Sequence, residues 1–203
     1  CIAGPNGCGK STLLALICGD NPRAYGQRVK LFGRLRGSGE SVWEIKRRFG
    51  IVSNQLHLSY PARTRAFDVV ASGFFDTLGL YDTCGPQQAR LAREWLAVLG
   101  LSARAGERFD ALSFGEQRMM LVARAMVKNP PILILDEPCS GLDEANRRRV
   151  LELIERIGHE TNTQILYVSH EAEEMPACIT RRLEFRRDAA GRYRLEPTEL
   201  RPA

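Results

Sequence analysis

The chain has 203 residues, of which 44% are hydrophobic and 26% charged, with a formal net charge of +5. Such a length and balance describe one globular domain with a substantial core and room for a subdomain, and they exclude a disordered or fibrous chain. No apolar run approaches a membrane span, and there is no signal-peptide pattern. The positive charge falls in short clusters (Lys46-Arg47-Arg48, Arg147-Arg148-Arg149, Arg181-Arg182, Arg186-Arg187) without interleaved aromatics, which reads as solvated faces ahead of nucleic-acid contact.

Cys1-Ile2-Ala3 reads as the end of a strand, and without an initiator Met the chain is expected to be a fragment lacking its N-terminal strands. Gly4-Pro5-Asn6-Gly7-Cys8-Gly9-Lys10-Ser11-Thr12 follows and fills every fixed position of G-x-x-x-x-G-K-[ST]. Glycines there let backbone N–H groups turn inward on a polyphosphate. Lys10 supplies a point charge for the β- and γ-phosphates, and the Ser11 hydroxyl is placed to ligate Mg²⁺. Leu13, Leu14, Leu16 and Ile17 recur at helical spacing with Gly19 as a stop, so the anion is expected at a helix N-terminus. Cys8 is either a small filler of the loop or a thiol whose oxidation blocks nucleotide entry. The six cysteines form no C-x-x-C pair and read as reduced thiols, not as a zinc site.

Residues 29–32 read as a short strand and Gly37-Ser38-Gly39 as a turn. Ser41 and Glu44 make a capping box for a brief helix through Arg48, with Gly50 as its stop. A buried strand is expected over 50–53. From His57 to Asp110 the pattern is mostly helical, with Leu91, Ala92, Trp95, Leu96 and Leu99 on one face ending at Gly100. This stretch is expected to be a helical subdomain, residues 57–115, inserted between strands. Ser113 opens a further helix through Lys128, ended by Asn129-Pro130-Pro131. The apolar run 132–135 reads as a strand buried on both faces of a parallel sheet. A helix is expected from Asp143 to Gly158, a second buried strand over 164–169, and a small terminal hairpin from 180–186 and 192–196 around the turn 188–191.

Two strings carry chemistry. Ile132-Leu133-Ile134-Leu135-Asp136-Glu137 is a buried strand that delivers two acids at its carboxyl end, where α/β sheets bind ligands. Beside a complete phosphate loop, Asp136 would support Mg²⁺ and Glu137 would orient and activate a water attacking the γ-phosphate. Leu112-Ser113-Phe114-Gly115-Glu116-Gln117 reads locally as a capping box and functionally as a second anion site at a helix N-terminus. Its position shortly before the acidic strand favours the functional reading.

These residues resemble the ATP-binding cassette (ABC) ATPases over nearly the whole chain. Residues 112–116 look like the family signature, Ser140-Gly141-Leu142-Asp143 like its D-loop, and Ser169-His170 like its switch histidine. The resemblance implies a P-loop NTPase fold of the α/β class, one cassette over residues 1–203 with a mostly parallel central sheet and an inserted helical subdomain. It also implies ATP with Mg²⁺, a second cassette packed head to tail, and an integral-membrane permease. The cassette would then sit on the cytoplasmic side, at the inner face of the membrane. Ser113, Phe114, Gly115 and Glu116 would address ATP held by the partner, Asp143 would link the two sites, and His170 would touch the γ-phosphate. The amide that helps hold Mg²⁺ is Asn54 or Gln55. Phe114 stands where glycine is commoner, and the adenine-stacking aromatic would precede the phosphate loop.

A narrower resemblance, to the carboxyl-terminal cassettes of ModF-type ATPases (PhrA photorepair proteins), rests on four stretches. They are Leu31-Phe32-Gly33-Arg34, Gly37-Ser38-Gly39-Glu40, Leu56-His57-Leu58, and Pro176-Ala177-Cys178-Ile179-Thr180 with Arg182-Leu183-Glu184-Phe185. It implies two cassettes in one chain and an association with molybdate transport. The alternative is a soluble tandem-cassette ATPase acting on nucleic acid or ribosomes. No heptad run lies between Lys10 and Ser113, which sets aside the coiled-coil ATPases of chromosome and repair complexes.

Overall fold

The computed structural model describes residues 1–19, 21, 28–36, 39, 41–169, 175–189 and 191–200. Its central sheet begins with β1 (Ile2–Ala3), which runs through the loop 4–9 into α1 (Lys10–Cys18). A two-stranded hairpin, β2 (Lys30–Leu31) and β3 (Arg34–Leu35), turns through Phe32 and Gly33, both at positive φ, as a tight hairpin requires. The strand expected over 29–32 is therefore shorter and bends back on itself. α2 (Val42–Arg47) carries the expected capping box: Glu44 N–H donates to Ser41 Oγ at 3.1 Å, and Ser41 N–H donates to Glu44 at 2.7 Å. The turn 37–39 falls largely outside the described residues.

The strand after α2 is β4 (Phe49–Ser53), so Gly50 is not the helix stop expected of it. A Cβ at Gly50 would meet the Ala125 carbonyl oxygen at 2.6 Å, so the glycine lets a helix cross the strand closely. From Asn54 the chain is helical through α3 (Asn54–Ser59), α4 (Ala66–Ala71), α5 (Pro86–Val98) and α6 (Phe114–Met126), with short 3₁₀ turns between them. β5 (Ile132–Asp136), α7 (Glu144–Glu160) and β6 (Gln164–Val168) follow. α7 runs through Gly158 instead of stopping there. A Cβ at Gly158 would lie 2.8 Å from Cys178, so close packing explains this glycine.

The final hairpin, β7 (Arg181–Arg187) and β8 (Tyr193–Glu199), is antiparallel within itself, but it is not a separate appendage. β7 pairs in parallel with β1, giving one six-stranded sheet in the order β4-β5-β6-β1-β7-β8, parallel except at its last strand. The α/β class and mostly parallel sheet expected from the sequence are present.

Both faces of the sheet are covered. Leu133 and Leu135 join the cluster formed with the helices from α4 to α7, while Ile134 joins Leu14, Cys18, Ile45 and Phe49 on the side of α1 and α2. Alternate residues of β5 thus find apolar cover on opposite sides, which is why the strand reads as an unbroken apolar run. Among the described residues no helix is long and apolar enough to cross a membrane.

Candidate nucleotide site

The loop between β1 and α1 is shaped by glycines that no L-residue replaces without strain. Gly4, Gly7 and Gly9 have φ of 152°, 75° and 110°. A Cβ at Gly4 would lie 2.8 Å from Phe185 and 2.9 Å from Cys8 Sγ. Cys8 is itself buried against the loop, which is the filler arrangement and leaves its thiol little access to an oxidant. Gly9 stands at the N-cap of α1 without a capping side chain, so the first amides of that helix remain for a ligand.

Lys10 is buried, and its Nζ donates to the carbonyls of Gly4 at 2.7 Å and Pro5 at 3.0 Å. The ammonium is thereby arched over the loop it belongs to. Asn6, Gly7, Gly9, Lys10, Ser11 and Thr12 line a cleft of about 210 Å³, and Glu137 is the residue from outside the loop that lines it with them. Glu137 leaves β5 at φ 51°, a conformation disfavoured for a residue with a Cβ, and its N–H donates to the Val168 carbonyl at 2.9 Å. A strained backbone at the carboxyl end of a buried strand thus turns one acid into the loop's cleft.

The cleft fits a Mg²⁺–triphosphate. Gly7 and Gly9 line it with left-handed backbone, its charge is Lys10, and the Ser11 hydroxyl and the Glu137 carboxylate line it with them. Among the described residues no group of three His, Cys, Asp or Glu forms a ready cation site.

The second string opens α6. Ser113 caps this helix, with Glu116 N–H donating to Ser113 Oγ at 3.3 Å and Ser113 N–H donating to Glu116 at 2.8 Å. Arg104 donates from Nη1 to both Glu116 oxygens at 2.7 Å. Burial pushes the Glu116 carboxyl up, but the bonds from Ser113 and Arg104 outweigh it and hold it below its ordinary value. Phe114, 43% exposed, lies flat on the His57 ring, with centroids 4.4 Å apart. A Cβ at Gly115 would sit 2.2 Å from Asn146 Oδ1, so this glycine makes room for the first turn of α7. Asp143 caps α7, accepting from Asn146 N–H and Nδ2 at 2.8 Å each.

The structure therefore brings residues 6–7, 9–12 and 137 into one cleft. Ser113, Phe114, Gly115 and Glu116 form a separate surface against the start of α7. Asp136 ends β5 beside Ser53, and Asn54 and Gln55 open α3 just beyond. His170 lies outside the described residues. Three contributors had no role assigned from the sequence: His57, Asn146 and Arg118. Arg118 did carry a signal, because a charge stands on the helix next to Met119, Met120, Leu121 and Val122.

The chain matches the ABC transporter family over residues 1–140. It is 48% identical over 200 residues to the ABC transporter ATP-binding protein ModF of Escherichia coli (strain K12), covering 98% of this chain and 41% of that relative. It is 33% identical to the zinc transport system ATP-binding protein TroB of Treponema pallidum (strain Nichols), over 85% of this chain and 62% of TroB. The chain thus spans less than two thirds of the length of either relative. Among solved structures, the dimeric post-hydrolysis state of the ATP-binding cassette MJ0796 bound to ADP and Pi superposes with a TM-score of 0.76. The match is at 25% identity and covers 98% of this chain and 84% of that one.

Proposed function

The chain belongs to the ABC transporter family, and from that premise we propose that it is the cassette that binds and hydrolyses ATP to drive a membrane permease. The observation that carries this reading is the single cleft lined by the loop, Lys10 and Glu137. In it the triphosphate lies on the backbone amides of residues 4–12, and Lys10 swings from the Gly4 and Pro5 carbonyls onto the β- and γ-phosphates. Ser11 and Asp136 hold Mg²⁺, together with Asn54 or Gln55; when bound, the ion offsets the charge on the phosphate oxygens. Glu137 orients the attacking water and takes its proton as the water adds to the γ-phosphorus and the bond to the β–γ bridging oxygen breaks. His170 completes the γ-phosphate contacts.

A second cassette is part of the proposal, in the same full-length chain or in another copy. Ser113 would offer its hydroxyl and Gly115 its amide to the partner's ATP, with Phe114 and Glu116 flanking them and Asp143 linking the two sites. The MJ0796 cassette named above is described as dimeric, which supports this. Molybdate import is the transport we assign, on the likeness to ModF; TroB, named for zinc, is more distant. The permease, not the cassette, would select the solute, and the cassette would drive it from the cytoplasmic face.

Nucleotide binding with paired variants tests the reading. Lys10→Ala should abolish ATP binding. Glu137→Gln should keep binding, stop turnover and accumulate a closed cassette pair. Wild-type hydrolysis by Glu137→Gln would remove Glu137 from its role.

One observation favours a second reading, action on nucleic acid without a permease. Over residues 28–48, Arg28, Lys30, Arg34, Arg36, Lys46, Arg47 and Arg48 stand against Glu40 and Glu44 alone. Trp43 there is 70% exposed with the Lys46 ammonium 5.8 Å from its ring centre. Salt-dependent RNA or DNA binding that falls in Trp43→Ala would support it.

A further inference from the structure

Arg118, on α6, is fully buried, with 0% exposure. Its Nη2 donates to Asn54 Oδ1 at 2.5 Å and stands 3.5 Å from the Ser140 carbonyl oxygen. Its Nε and Nη1 are buried without a hydrogen-bond partner. Burial lowers its pKa, and the group working against that is the thiol of Cys139, not a carboxylate. The Phe114 ring lies 5.6 Å from its guanidinium carbon. A cation in this position is costly to the fold, and an apolar side chain of similar volume is often tolerated as well or better. Packing therefore does not account for an arginine here.

What Arg118 touches does account for it. Asn54 is the first residue beyond β4, and Ser140 opens the segment that ends in Asp143. One side chain thus bridges a candidate metal amide and the segment that would face a second cassette. A second bond, between His57 Nε2 and Gln117 Oε1 at 2.7 Å, ties α3 to α6 one turn further on and fixes their register.

We propose that Arg118 is a positioning residue that holds Asn54 Oδ1 out of metal coordination until nucleotide arrives, and that Asn54, not Gln55, is the amide that answers Mg²⁺. An oxygen bound at 2.5 Å by a guanidinium does not also suit a divalent cation, because two positive charges would meet on one atom. When Asn54 turns to the metal, Nη2 loses its short bond. The Ser140 carbonyl, already 3.5 Å away, is the acceptor to which it shifts. Metal occupancy at one end of Arg118 thereby draws on the 140–143 segment at the other. The inference rests on the Mg²⁺–ATP reading above.

The test uses the Glu137→Gln protein, which isolates binding from turnover, and titrates a fluorescent ATP analogue in Mg²⁺ and in EDTA. The parent should bind more tightly in Mg²⁺. Adding Arg118→Met should enlarge that Mg²⁺-dependent gain roughly tenfold, the size one charge-assisted hydrogen bond supports, with EDTA affinity unchanged. The melting temperature of the nucleotide-free Arg118→Met protein should be equal or higher. Asn54→Ala should shrink the gain and remove its enlargement.

An unchanged Mg²⁺ effect in Arg118→Met, or an enlargement that survives Asn54→Ala, overturns the proposal. So does a gain lost in Gln55→Ala and kept in Asn54→Ala. If Arg118→Met does not fold, the comparison of Asn54→Ala with Gln55→Ala alone decides it. A parent with no Mg²⁺ effect, or a Lys10→Ala protein that binds as the parent does, overturns the underlying reading itself.

Discussion

Ser53 is the register partner of Asp136 across β4 and β5, the last pair of that ladder, so Asn54 and Glu137 leave adjacent parallel strands at the same level of the sheet. The amide and the acid proposed to work at one phosphate site are thus brought to one edge by strand register, although 83 residues separate them in sequence. Asp136 sits at the hinge of this arrangement.

Asp136→Asn keeps the shape of the side chain and removes its charge. ATP binding in EDTA should be unchanged, and the Mg²⁺ concentration giving half-maximal hydrolysis should rise about tenfold or more. Titration of hydrolysis against Mg²⁺ at saturating ATP reads this. An unchanged Mg²⁺ requirement would take Asp136 out of the metal's surroundings.

Gly50 faces α6 so closely that a Cβ would stand 2.6 Å from the Ala125 carbonyl oxygen, a backbone atom with no freedom to swing away. Gly50→Ala should therefore destabilise the fold by about 1–3 kcal/mol despite the better strand propensity of alanine. Urea unfolding measures it. A neutral result would mean that strand and helix part more easily than their packing indicates.

His57 is buried between Phe114 and Phe109, and burial lowers its pKa below the ordinary 6.5, with the bond to Gln117 only partly opposing. The unfolded chain therefore binds a proton at higher pH than the folded one. Stability held above about pH 6.5 should fall as the pH drops toward the folded pKa, and level off below it. In His57→Gln that part of the acid sensitivity should disappear. Chemical unfolding at pH 7.5 and pH 5.5, wild type against variant, gives the comparison; equal slopes would refute it.

Asp143 caps α7, and that alone predicts a loss of about 1 kcal/mol in Asp143→Ala. Asp143→Asn should keep most of the cap, since asparagine caps as well. If Asp143 also links two cassettes, both variants should weaken ATP-dependent pairing of the Glu137→Gln protein, seen by light scattering. Pairing lost in neither variant leaves Asp143 as a cap only.

Much of the site was legible in linear order because its parts are local. The loop 4–12 announces itself since a polyphosphate needs consecutive amides without side chains in the way, which only clustered glycines supply. The pair Asp136-Glu137 stood out because a strand covered on both faces must be apolar until it emerges. The capping boxes at Ser41 and Ser113 span four residues each, well within what a sequence displays. Gly50 and Gly158 were misread for the complementary reason. A glycine that ends a helix and a glycine that lets another element come close look alike until the neighbour, Ala125 or Cys178, is known.

The sequence by itself determined the order of strands and helices, the phosphate-cradling backbone and the acids placed at a strand's end, since each depends on side-chain chemistry over a few adjacent residues. Only the tertiary structure decided that Glu137 turns into the same cleft as Lys10, that Arg118 grips Asn54 across 64 residues, and that the last hairpin extends the main sheet beside β1. These are contacts between distant segments. They are set by strand register and by which faces must be covered, quantities that no stretch of chain carries alone.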